Sequence, residues 1–200
     1  MRGATHFLFS SQTLAEDSGG AGTTGVTSFG MNDVTVGTDA GYVQNGGVNI
    51  NGEVYINHFF RRAPGFFDEV AYTGDATLGR MVSHNLTTIP EFIIIKNRTA
   101  AFDWQGRHSG FPSGVTSIQL NLSNAGGNAN LITSLGTSTT FTLSDNGQVN
   151  GASSNTYVAY LFATKAGISK VGSYSGNGTS QTINCNFTTG ARFILIKRTD

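Results

Sequence analysis

Residues 91–100 read EFIIIKNRTA, and residues 192–200 read RFILIKRTD. A short apolar run closed by a cation and polar turn residues is the signature of a strand covered on both faces. Its recurrence sets the reading of the whole chain. Working outward, VYINHFFRRAPGFFDEVAYTGD (54–75) lies without a gap on TYVAYLFATKAGISKVGSYSGN (156–177). Tyr55 falls on Tyr157, Phe60 on Phe162, Gly65 on Gly167, Tyr72 on Tyr174 and Gly74 on Gly176. One deletion later, Phe92–Lys96 falls on Phe193–Lys197. Upstream, TSFGMNDVTVGTDAG (27–41) corresponds loosely to TSLGTSTTFTLSDNG (133–147). The period is about a hundred residues, the size of a domain rather than of a solenoid turn.

The second copy stops just after its FILIK strand, and the first begins downstream of where its own would lie, as in a segment of a longer tandem array or in units with other boundaries. The expected division is a partial first unit over 1–65, a complete sandwich over 66–167, and the start of a further unit over 168–200. That last piece would be completed by the N-terminal segment or by a continuation. The segments TYVAYLF and EFIII read as central strands. TINCNF alternates, with Ile183, Cys185 and Phe187 on one face, and its counterpart puts Val82, His84 and Leu86 inward. SIQLNL (117–122) alternates likewise. SDNG (144–147) and TDAG (38–41) read as hairpin turns. Short strands at regular spacing predict an all-β protein of tandem antiparallel β-sandwiches, lectin-like or jelly-roll-like. Tyr55, Phe60, Tyr72, Phe92, Ile94, Tyr157, Phe162, Tyr174, Phe193 and Leu195 are the expected repeated core.

Composition agrees. Of 200 residues, 27 are Gly and only 3 Pro, amid abundant Ser, Thr and Asn, as for strands joined by tight turns. The 14 Phe and 6 Tyr exclude a disordered composition. Twelve basic residues balance twelve acidic ones, so no nucleic-acid-binding surface is expected. Cys185 is alone, which excludes an internal disulfide. The start lacks a signal-peptide core, and no apolar run is long enough to insert in a membrane.

Motifs that suggest chemistry have weak contexts. Gly20, Gly22 and Gly25 show dinucleotide-loop spacing, but neither the required strand precedes them nor the helix follows, so they read as a loop. His6, His58, His84 and His108 are scattered without ligand spacing. His84 aligns with Cys185 and His58 with Tyr160, as packing positions would. The acidic pair Asp68-Glu69 aligns with Lys170-Val171, against a shared acid–base site. Arg61 and Arg62 among four Phe read as a strand end rather than an RNA surface. Lys96 and Arg98, matched by Lys197 and Arg198, are expected to tether a loop or pair with a carboxylate. Trp104, with Arg107 and His108, forms the one candidate contact for a sugar, against the alternative of a packing Trp. No catalytic residue, metal or cofactor is expected.

The strings RRAPGFFDEVAYTGDATLGRMVSHNLTTIPEFIIIKNRTAAFDWQGRHSG and NTYVAYLFATKAGISKVGSYSGNG resemble a module of tailed-bacteriophage structural proteins, often from marine phages. The likeness spans roughly residues 25–200. It departs at TTIPE, where the module carries a Gly before its Pro, and at Cys185-Asn186, where the first copy has His84-Asn85. The resemblance implies a virion component, a tail fibre or other surface part, that is not an enzyme. It also implies other virion proteins as partners, a homo-oligomeric state such as a trimer, and a host-surface glycan as a target. A capsid decoration or spike protein, and a carbohydrate-binding module of an extracellular bacterial enzyme, are the alternatives.

Overall fold

The computed structural model describes residues 6, 8–17, 25–37 and 48–200. Its strands are β1 (Val26–Phe29), β2 (Val34–Val36), β3 (Phe67–Thr73), β4 (Arg80–Ser83), β5 (Phe92–Asn97), β6 (Gln105–His108), β7 (Ile118–Gln119), β8 (Ile132–Ser134), β9 (Thr140–Leu143) and β10 (Thr156–Phe162). Among the described residues one helical turn, α1 (Gly147–Asn150), interrupts them. A five-stranded sheet runs β3-β10-β5-β6-β7 and a three-stranded sheet β4-β9-β8, with β1-β2 as a separate hairpin. Every strand pair among the described residues is antiparallel. The protein is an all-β sandwich.

Strand period explains the layers. Directly paired residues share a face, so Ile93 and Ile95 of β5 lie with Tyr157, Ala159 and Leu161 of β10 on the inner side. Phe141 and Leu143 of β9, Val82 of β4 and Ile132 of β8 meet them from the second sheet. Each fully buried Val, Leu, Ile or Phe among them stabilises by about 1.5–3 kcal/mol. The other face of the large sheet carries Phe92, Ile94 and Lys96 of β5 opposite Phe162, Tyr160 and Val158 of β10. Ile94 and Lys96 are buried there too. That second covering is why EFIII and TYVAYLF are apolar at almost every position rather than at alternate ones.

The sandwich interleaves the two copies of the repeat. β10 belongs to the second copy, yet it inserts between β3 and β5 of the first, with Phe162 opposite both Phe67 and Phe92. Two local features are duplicated faithfully. Ala63 and Phe67 close one turn through reciprocal backbone bonds of 2.9 and 3.1 Å, and Lys165 and Ser169 close another at 3.1 and 2.9 Å. Gly65 and Gly167 sit inside these turns with the same positive φ of 73°, a conformation that favours glycine. The hairpins β1-β2 and β8-β9 each carry a register shift, at Val26/Ser28 and at the aligned Ile132/Ser134.

Elsewhere the copies diverge. Of the expected core, Tyr157 and Ile94 are buried, and Tyr72, Phe92 and Phe162 are partly so. Tyr55, Phe60, Tyr174, Phe193 and Leu195 are exposed, a correction to the repeated-core reading. The physical reason is that residues 50–62 and 170–200 form no ladder, so no second layer covers their side chains. Ile95 is 0% exposed, whereas its counterpart Ile196 is 65% exposed. TINCNF forms no strand, and its Ile183 is exposed while Val82, His84 and Leu86 are buried as expected. SIQLNL contributes only the two residues of β7 before turning. SDNG is not a hairpin turn: the Asn146 side chain accepts from the Gln148 N–H and starts α1. TDAG, Gly20 and Gly22 lie outside the described residues.

The unequal burial makes a direct prediction. Ile95→Ala will lower unfolding free energy by about 2–5 kcal/mol, while Ile196→Ala in dilute protein will change it by no more than about 0.5 kcal/mol. Urea unfolding of both variants checks this. Equal losses would mean that the second copy is packed like the first.

Candidate functional site

The outer face of the large sheet is crossed by residues 8–17, which act as a strap. Its attachments come from the ends of β5 and β6. The Arg98 guanidinium clasps Glu16 through bonds of 2.7, 2.9 and 3.0 Å, and the Glu16 N–H donates to the Arg98 carbonyl at 2.7 Å. Both side chains are about nine-tenths buried, at 10% and 9% exposure. Such a bidentate pair is strong and directional. Lys96, fully buried, donates its Nζ hydrogens to the carbonyls of Thr13 (3.2 Å) and Asn97 (2.9 Å). Burial lowers its pKa, against the pull of nearby Asp103. The Trp104 indole N–H donates to the Phe9 carbonyl at 2.9 Å. The cations that close β5 therefore tether a loop and pair with a carboxylate.

Two shallow hollows, about 290 and 280 Å³, flank the Arg98–Glu16 pair. The first is bordered by Thr99, Ser154 and Thr156, the second by Glu69, Tyr160 and Trp104, and His6 borders both. Tyr160 stands opposite Glu69 and Ile94 across the strands. Burial, then the neighbouring Glu69 charge, pushes its phenol up to about 12, against the opposing pull of Arg98. At neutral pH the Tyr160 hydroxyl is thus a neutral group beside a carboxylate. The second hollow is lined by Trp104, Tyr160 and Glu69 among others.

The Trp104, Arg107 and His108 constellation does not converge, which corrects the sugar-contact reading. β-strand alternation puts Trp104 and His108 on the outer face and Arg107 on the inner one. Trp104 is 9% exposed and stacks on Tyr160, with centroids 6.3 Å apart. Arg107 donates to the Ile132 carbonyl (2.6 Å) and to Asn130 Oδ1 (3.1 Å), tying the two sheets together. His108 rests against Phe92 and Phe111 and accepts from the Gly110 N–H. Burial lowers its pKa, opposed by Glu91. These are packing groups.

Alternation also separates the acidic pair. Asp68, 2% exposed, faces inward and binds Arg62 and the Asn85 N–H (2.7 Å), whereas Glu69 faces the strap. They cannot share a proton on one substrate. His84 lies in the core, stacked on Phe141, and its Nδ1 accepts from the Leu86 N–H. Its Nε2 makes no hydrogen bond, although the Thr137 and Thr140 backbones lie close enough to favour its charged form. Burial dominates and lowers its pKa, which favours the neutral imidazole. Among the described residues no group of His, Cys, Asp and Glu could hold a metal ion, and no helix is long and apolar enough to cross a membrane.

Sequence reasoning missed Glu16, Glu69 and Tyr160 as neighbours. Glu16 meets Arg98 across 82 residues of chain, and no spacing rule links them.

Fold and surface together define an antiparallel β-sandwich module built from interleaved repeat copies. Arg98, Glu16, Lys96, Asp68 and Arg107 hold its chain segments together. The chain belongs to the family described as Domain of unknown function (DUF7483), whose model matches residues 1–200. No curated protein and no solved structure matched it.

The raised Tyr160 phenol sets a pH response with a definite sign. Its folded-state pKa exceeds the unfolded value of about 10. The unfolded chain therefore releases this proton first, and the stabilisation, complete below pH 10, is lost as pH rises through about 12. Tyr160→Phe will flatten that alkaline decline, measured as urea midpoints between pH 9 and pH 12. An unchanged decline would contradict the assignment.

Proposed function

We propose that this protein is a structural module of a bacteriophage particle, carried on a tail fibre or another exposed part of the virion. It serves as a spacer and as a platform for host attachment. The observation that carries this reading is the interleaving of repeat copies, in which β10 of one copy is locked between β3 and β5 of another. A pull along the chain would have to break ladders on both edges of β10 before a unit came apart. Load-sharing of that kind suits an extended assembly. The commitment of Arg98, Lys96, Asp68 and Arg107 to tethers and sheet contacts supports a non-catalytic role. The resemblance to tailed-phage structural modules supplies the setting. Other virion proteins are the proposed partners.

If the module contacts a host glycan, that task falls to the hollow beside Glu69 and Tyr160. Trp104 is stacked beneath the strap and its N–H is already engaged. A carbohydrate-binding module of a bacterial enzyme would share this hollow but not the virion location.

The deciding experiment is electron microscopy of purified phage particles from the source culture, labelled with gold-conjugated antibody against the chain. Label on virions at a fixed position is expected. Label confined to host-cell material would remove the proposal.

A further inference from the structure

We infer that the chain self-associates head to tail by strand donation, the segment 54–60 of one copy completing a sheet on the segments 169–175 and 193–197 of a second copy. The large apolar side chains outside the sandwich gather in these stretches. Val54, Ile56 and Phe59 are exposed in one, and Phe193, Ile194, Leu195 and Ile196 in another. Four consecutive apolar residues open on both faces is an arrangement that natural proteins avoid at free strands. Yet each segment is the sequence copy of a strand that is laddered within the same chain. Residues 54–60 repeat β10, 193–197 repeat β5, and 169–175 repeat β3. The order β3-β10-β5 therefore states how the three copies fit one another.

The direction of donation is also written in the sandwich. There the sheet of the first copy is completed by the leading strand of the copy that follows it. By the same rule, 169–175 and 193–197 call for the leading strand of a following copy, and 54–60 is that strand. The turn that launches 169–175 already has the geometry of the turn that launches β3, with matching bonds and the same φ at Gly65 and Gly167. Within one chain Phe193 does touch His58 and Phe60, at ring separations of 5.0 and 6.0 Å. No ladder forms between those segments, and their apolar side chains stay open. Donor and acceptor are different surfaces, so the association is heterologous and builds rings or filaments rather than an isologous pair. Backbone ladders would give affinity and the alternate side chains specificity, as in other strand additions. The inference needs only that the chain is a repeat module, wherever it works.

The test uses the whole chain and two charge variants. Ile56→Lys spoils the donor strand and Ile194→Lys the acceptor strand. Both sites lie outside the sandwich, and circular dichroism with Trp104 emission will confirm that the sandwich is intact in each. By analytical ultracentrifugation the wild-type chain should form dimers and larger species that grow with concentration, and each variant alone should stay monomeric. Mixed in equal amounts, the variants should stop at a dimer, since one intact donor and one intact acceptor remain. A wild-type chain monomeric at every concentration would overturn the inference. So would assembly that survives both substitutions, or a mixture that stays monomeric. Self-association without label on virions would leave this inference standing and remove the phage proposal, so the two fail separately.

Discussion

Strand β10 is hydrogen-bonded along both edges and covered on both faces, and the remainder of the sandwich is arranged around that demand. Its register is held by seven residue pairs to β3 and six to β5. A one-residue slip would carry Tyr157, Ala159 and Leu161 out of the core and put Val158 and Tyr160 in their place. The register is pinned at one end by the Phe67, Phe162 and Phe92 rings, and at the other by the Tyr157 hydroxyl. That hydroxyl donates to the Gly147 carbonyl at 2.8 Å and accepts from the Gly151 N–H at 2.7 Å. Because β10 arrives long after β3 and β5 in the chain, these contacts close long loops, which slows folding.

The buried polar groups reinforce the same joint. The Asn97 amide, at the end of β5, donates to the Gly147 carbonyl that Tyr157 also uses, while its oxygen accepts from the Thr99 and Ala100 N–H groups. Asn150, at the end of α1, accepts from the Asp75 N–H and Arg80 and donates to Asp75 and the Thr77 carbonyl. Gly74 is required nearby, since a Cβ there would stand 2.2 Å from the Gly151 carbonyl oxygen, whereas its repeat counterpart Gly176 meets nothing. One turn of helix thus links the two sheets, and each of these amides is satisfied, as buried polar groups must be. On the outer face the strap does the corresponding work with a charged pair and a buried Lys.

The sequence made the strands of the large sheet legible where burial on both faces wrote continuous apolar runs, as in β5 and β10. The alternation around Val82, His84 and Leu86 was legible because only one face of that segment is covered. It misled over residues 182–187 and 193–197, because periodicity reports what a segment is able to pair with, and pairing also needs a partner strand in place. SDNG misled differently. Asp, Asn and Gly favour turns and helix starts through the same local bonds, and only the Gln148 amide within reach of Asn146 decides between them. The strap and its hollows had no sequence signature. Glu16 is an ordinary acidic residue until the fold brings Arg98 beside it. The repeat located the strands in both copies, but it also implied equivalent interiors for the matched strands, which Ile95 and Ile196 do not share.

The central claim is that one sandwich, closed by β10, holds the stability of the chain while the second copy of its strands stands open. Amide hydrogen exchange on dilute, monomeric protein tests it most directly, comparing the two copies of the FI(I/L)IK segment. Amides of residues 93–96 and 157–161 should exchange only through global unfolding, and those of 194–196 at nearly the rate of free peptide. Equal, deep protection in both copies would show that the second strand is already paired within the monomer, and the account of a single closed sandwich would be wrong.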